Sequence, residues 1–188
     1  DVSGTSVSLS SDGRIVAIGA VFGSNGGQVR IYQYKTPTST EWSTGIVIKG
    51  TDTNQVTNKY YWTQIGSDID GEAVSDNSGR SVSLTSDGSI VAIGANGNNE
   101  NGSSAGHVRV YQWREYTQTD HDSSTYHYQS RIQKISNTIS EESDTTEQIK
   151  PLIITDNTST APVVGENYWT QLGGDIDGEA ANDFSGWS

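Results

Sequence analysis

The chain has 188 residues, of which 31% are hydrophobic, and it contains no Cys, so neither a disulfide framework nor a thiolate nucleophile or metal site is available to it. Eleven Lys and Arg against 23 Asp and Glu give a formal net charge of −12. That field repels nucleic acid and anionic lipid, and leaves cations and neutral polymers such as glycans as permitted partners.

Twenty-one Gly, with abundant Ser, Thr, Asn and Asp, predict many turns and few long helices. No apolar run reaches the length needed to span a bilayer. The first element is a half-buried strand in which Val7 and Leu9 alternate with Ser6, Ser8 and Ser10. Asp12-Gly13 follows, and Asp-Gly between apolar runs predicts a type I′ hairpin turn, which needs positive φ at both residues. Residues 15–18 form a denser second strand, covered on both faces, which leaves through the small pair Gly19-Ala20. Residues 29–34 are the third strand and 60–65 the fourth, with Trp62 as a large packing residue.

The same order then repeats. Residues 3–20 (SGTSVSLSSDGRIVAIGA) return 75 positions later as 78–95 (SGRSVSLTSDGSIVAIGA). Residues 27–34 (GQVRIYQY) return as 106–113 (GHVRVYQW), and 61–73 (YWTQIGSDIDGEA) as 168–180 (YWTQLGGDIDGEA). The first block begins again at Asp183, and Trp187-Ser188 end the chain inside it, so both ends read as cuts through a repeat. The chain divides into a first repeat at 1–74, a second at 75–181 carrying a polar insertion at 114–167, and the start of a third at 182–188. Within the insertion, residues 126–135 and 151–155 have strand-like composition, and the latter resemble 45–49 of the first repeat.

A four-stranded unit that is apolar on both faces cannot bury itself and must stack on copies of itself; radial stacking of such units is the β-propeller. The expected fold is therefore all-β, with tandem four-stranded antiparallel blades forming an incomplete β-propeller, since closure takes about four blades. The repeat resembles the FG-GAP family, the blade repeat of integrin alpha-chain propellers and of many secreted proteins. Ser3-Gly4, Ser78-Gly79 and Ser185-Gly186 stand in place of the family's Phe-Gly, and Gly19-Ala20 and Gly94-Ala95 stand in place of its Gly-Ala-Pro. The resemblance implies a propeller and a secreted or cell-surface location. The family's calcium loop between strands one and two is reduced here to one carboxylate per copy, Asp12 and Asp87.

The candidate cation ligands lie elsewhere, in the acidic run Asp68, Asp70, Glu72 and Asp76 and its copy Asp175, Asp177, Glu179 and Asp183. Carboxylates at alternate positions around a Gly turn can converge on calcium. The plainer reading, preferred here, is a turn whose Asp side chains accept nearby backbone N–H groups. His107, His121 and His127 have no metal-ligand spacing, and His107 stands where the first copy has Gln28, so no role requiring imidazole is expected of it. Asn101 and Asn157 match the glycosylation acceptor pattern. Trp42, Tyr116, Tyr126 and Tyr128 lie outside the repeated strands and are candidates for exposed contact.

No motif of a protease, lipase, sialidase or nucleotide-binding loop occurs, and no catalysis is expected. The expected function is an extracellular binding or adhesion module that contacts glycan or protein through loops, with further blades of the parent chain as structural partners. A structural subunit of an extracellular fibre, sheath or cell-wall layer is the alternative, and a propeller appended to a secreted hydrolase a third. In a four-stranded meander the two-to-three and four-to-one connections share one end of the blade, and ligand or cation binding is expected there.

Overall fold

The computed structural model describes residues 2–22, 26–35, 61–119 and 162–188. Among them the protein is all-β with almost no helix. The first copy forms β1 (Ser3–Leu9), β2 (Ile15–Ala20), β3 (Gln28–Lys35), β4 (Tyr61–Gln64) and the two-residue β5 (Ile69–Asp70). The second forms β6 (Ser78–Leu84), β7 (Ile90–Ala95), β8 (His107–Glu115), β9 (Asn167–Gln171) and β10 (Ile176–Asp177). Each set is an antiparallel meander, β1-β2-β3-β4 and β6-β7-β8-β9, and neither closes into a barrel. The two are in matching register, Ile18 opposite Arg30 in one and Ile93 opposite Arg109 in the other. No helix among the described residues is long and apolar enough to cross a membrane.

Two local expectations change. Only Gly13 (φ 67°) and Gly88 (φ 72°) take positive φ in the hairpins, not the Asp before each, so neither turn is type I′. Each is a longer loop in which the Gly N–H donates three residues back, to Ser10 or Thr85. The Asp caps it: Asp12 Oδ1 accepts from Ser10 Oγ at 2.7 Å and from the Arg14 N–H at 3.0 Å. The second change is in the acidic runs. They are not single turns, because Ile69-Asp70 and Ile176-Asp177 extend into strands that pair with the start of the third strand, Gln28 opposite Asp70 and His107 opposite Asp177.

Because side chains alternate across a strand, each sheet has two faces, and they carry different residues. Ala17, Val29, Ile31 and Ile69 on the rear of the first sheet meet Val91, Ile93, Tyr111 and Trp169 on the front of the second, and these eight make one buried core. The sheets approach closely because glycines face each other at the seam. A Cβ on Gly19 would run into the Gly79 carbonyl, and Gly79 itself takes φ +84°. Ser6 Oγ donates to that carbonyl at 2.7 Å, Gly27 bridges Ser78 in parallel, and the Trp169 indole N–H donates to the Ile65 carbonyl at 2.9 Å. The last residues repeat the seam on the second sheet: Ser81 Oγ donates to the Gly186 carbonyl at 3.0 Å, and Gly106 bridges Ser185.

Among the described residues, and apart from the part of the second sheet's rear that the last residues cover, the outer faces are bare. On the front of the first sheet Val7 is 63% and Leu9 59% exposed, whereas Val82 and Leu84, their counterparts, pack on the core. On the rear of the second sheet Ile176 is 59% exposed, whereas Ile69, its counterpart, is fully buried. Tyr116, expected to be exposed, is buried and meets Tyr168 edge to face with ring centroids 6.1 Å apart. Trp42, Tyr126, Tyr128, His121, His127, Asn157, the strand-like stretches 126–135 and 151–155, and residues 45–49 lie outside the described residues.

Candidate functional site

The meander order puts the connection from β2 to β3, that from β7 to β8, and those following β4 and β9 at one end of the two sheets. There the loops interlock. The long loop between β7 and β8 reaches the connection from β5 to β6, where Gly97 N–H donates to the Asp76 carbonyl at 2.9 Å. It also reaches the second acidic run, where Asn101 Nδ2 donates to the Gly178 carbonyl at 2.7 Å and Ser103 accepts from the Asn182 N–H at 2.8 Å.

At the centre of this end lies His107, the first residue of β8, which points toward the first sheet on the same face as Arg109 and Tyr111. It is fully buried, and neither of its ring nitrogens has a hydrogen-bond partner among the described residues. Three carboxylates surround it. Asp175 Oδ2 lies 3.6 Å and Glu72 Oε2 3.8 Å from Nδ1. Glu100 completes a group in which one donor atom from each residue lies within 4.8 Å of all the others. Burial pushes the imidazole below its ordinary pKa, and Arg109 adds to this against the opposing pull of Asp175, Asp76 and Asp177. Burial likewise pushes Glu72 up to about 7, with Arg109 opposing and the charges of Asp175, Glu100 and Asp76 adding to the rise. A neutral imidazole and a carboxyl that titrates near neutrality can hold a cation or share a proton.

The surroundings explain why the second copy forms this group. In the first sheet, Arg30 Nε pairs with Asp68 Oδ2 of its own blade at 2.9 Å, and Gln64 Nε2 takes the other oxygen at 2.7 Å. In the second, Arg109 is drawn into the seam, where it donates to the Asp70 carbonyl at 2.8 Å and lies 3.6 Å from Glu72 Oε1. Asp175 keeps only the matching glutamine, Gln171 Nε2 at 2.6 Å, and its second oxygen turns to His107.

Of the eight carboxylates read from the sequence, the structure therefore brings two together, Glu72 and Asp175, one from each copy and across the seam. Asp76 and Asp183 do what the plainer reading assigns them: Asp76 Oδ2 accepts the Ala73 N–H at 2.9 Å and Asp183 Oδ2 the Ala180 N–H at 2.8 Å. Asp68 is held by Arg30, Asp70 sits in β5 with its carbonyl on Arg109, Asp177 is exposed opposite His107 in β10, and Glu179 is exposed. The group also holds His107 and Glu100, which are not among the carboxylates read from the sequence. Gln28, which occupies the place of His107 in the first copy, lies on a face with no sheet opposite it among the described residues, so the two positions share a register but not an environment. The available signal was the difference between copies, a His in place of Gln and a longer loop carrying Glu100.

These features define a class, an open all-β protein of two stacked antiparallel sheets with a polar cluster built across the seam. The sequence matches no family model, and neither a curated protein nor a solved structure matches it significantly.

Proposed function

We propose that this chain is a segment of an extracellular binding or adhesion module of the FG-GAP propeller type, which contacts a glycan or an extracellular protein through the loops at the His107 end of its sheets. The observation that carries this is the interlocking of loops there. Residues 96–106 are tied to both acidic runs, so the ligand-facing surface is held by hydrogen bonds to two neighbouring loops rather than hanging free. Loops on a rigid scaffold are where binding residues concentrate. The acidic surface favours a cation or a neutral polymer over an anionic ligand.

A second reading, a subunit of an extracellular fibre or layer, is favoured by a different observation, the two bare sheet faces. The experiment that separates them screens the chain on immobilised glycans and extracellular proteins beside two variants. Asp177→Lys with Glu179→Lys reverses charge on the exposed loop end and is expected to abolish binding. Leu9→Lys alters only a bare face and is expected to leave binding intact. Binding that survives the loop reversal but disappears with Leu9→Lys overturns the module reading in favour of the fibre.

A further inference from the structure

We propose that Glu72, Glu100, His107 and Asp175 form a divalent metal site of the first-row transition type, with zinc the best match, which clamps the first sheet to the second. The inference stands on the geometry of the seam and holds whatever ligand the loop end takes.

Carboxylates crowd together on many acidic surfaces without binding a cation. Here the independent observation is the imidazole. His107 is fully buried, its Nδ1 has no hydrogen-bond partner among the described residues, and that atom faces two carboxylate oxygens at 3.6 and 3.8 Å. A buried polar atom without a partner is unfavourable, and in the tautomer that leaves Nδ1 unprotonated the two carboxylates face its lone pair. A cation between them satisfies all three at once.

The spacing suits a small cation. Donors about 2.1 Å from a tetrahedral zinc stand roughly 3.4 Å from one another, and the two Nδ1 to oxygen distances are already close to this. The donor chemistry points the same way. One imidazole and three carboxylates match zinc, whereas calcium takes about 6–8 oxygens at longer distances. The charge also matches: three carboxylates against the Arg109 guanidinium leave a formal −2, which a divalent ion neutralises. Arg109 lies beside Glu72 Oε1 and so leaves Oε2, the oxygen facing the imidazole, for the metal. Because Glu72 comes from the first copy and the other three residues from the second, the bound ion would tie the blades together.

The test is zinc titration calorimetry on the full chain, with the His107 ring nitrogens followed by 15N NMR and with cobalt as a spectroscopic substitute. One equivalent of zinc is expected to bind, to shift the His107 Nδ1 resonance and to raise the melting temperature. Calcium at the same concentrations is expected to do none of these. His107→Gln places in the second copy the residue that the first copy already accommodates, so the fold is expected to survive. It and Glu72→Gln should each weaken zinc by about 100-fold or more, on the scale set by losses at even the outer partners of metal ligands. Asp68→Asn, which removes a carboxylate outside the group, should leave affinity unchanged. Absence of stoichiometric zinc binding in the wild type overturns the proposal, as does zinc affinity that persists in both variants or calcium binding that excludes zinc. Loss of glycan or protein binding with zinc affinity intact would instead count against the proposed function alone.

Discussion

At the scale of single residues, the same letter in the two copies does different work because its neighbours differ. Asp12 and Asp87 are the exception, since each is satisfied inside its own hairpin and needs nothing from the other sheet. Asp87 accepts from Thr85 Oγ1 at 2.6 Å, from the Ser89 N–H at 3.0 Å and from Ser89 Oγ at 2.8 Å. These bonds pull its pKa from 3.8 down to about 2. A carboxylate whose folded pKa is depressed contributes stability that is fully present above its unfolded value and is lost as pH falls through the folded one. The hairpin contribution of Asp87 is therefore expected to be intact above pH about 4 and to disappear toward pH 2. A 13C titration of the side-chain carboxyl should show a midpoint near 2, and Asp87→Asn should flatten the stability profile in that window. A midpoint near the ordinary value would mean that the cap bonds do not persist in solution.

At the scale of strands, the two-residue β5 and β10 offer a controlled comparison. Ile69 and Ile176 sit in the same motif and the same register, Ile69 opposite Val29 and Ile176 opposite Val108. Ile69 is fully buried against the second sheet while Ile176 is 59% exposed. Truncating a buried Ile to Ala typically costs about 2–5 kcal/mol, and truncating an exposed one within about 0.5 kcal/mol. Ile69→Ala is expected to destabilise the protein by about 3 kcal/mol and Ile176→Ala by less than about 0.5 kcal/mol, measured by urea denaturation. Equal effects would show that the seam between the sheets does not hold in solution. Much of this level was legible in advance: the alternation of Val7 and Leu9 with serines, and the apolar run at 15–18, give the strands and their order. The short β5 and β10 were not legible, because Asp and Gly are depleted in strands and only pairing with β3 and β8 holds those residues extended.

At the scale of the whole molecule, the two bare faces are copies of the two faces that already fit together. The front of the first sheet, with Val7, Leu9 and Tyr34, repeats the surface that the second sheet buries, and the rear of the second, with Leu172 and Ile176, repeats the surface that buries it. Such a contact is head-to-tail and does not close on itself as a two-fold dimer does. The isolated chain is therefore expected to associate progressively with concentration in sedimentation velocity. Val7→Lys with Leu9→Lys blocks the front and Ile176→Lys blocks the rear, so each variant alone should remain monomeric while a mixture of the two forms dimers. Monomeric wild type at high concentration, or a mixture that does not dimerise, would show that the outer faces do not recognise each other.

The sequence alone determined the strands, the two copies and the need of each unit for a neighbour, because alternation, Asp-Gly turns and repetition are local properties written in consecutive residues. It also placed the acidic runs and the β2–β3 and β7–β8 loops at one end, since a meander of four strands fixes which connections lie together. Only the tertiary structure decided which carboxylates meet. The group around His107 joins residues from both copies across a seam, and its composition depends on Arg109 leaving Asp175 for the neighbouring blade while Arg30 stays with Asp68. That choice is set by whether another sheet lies opposite, a condition that no stretch of the repeated sequence encodes by itself.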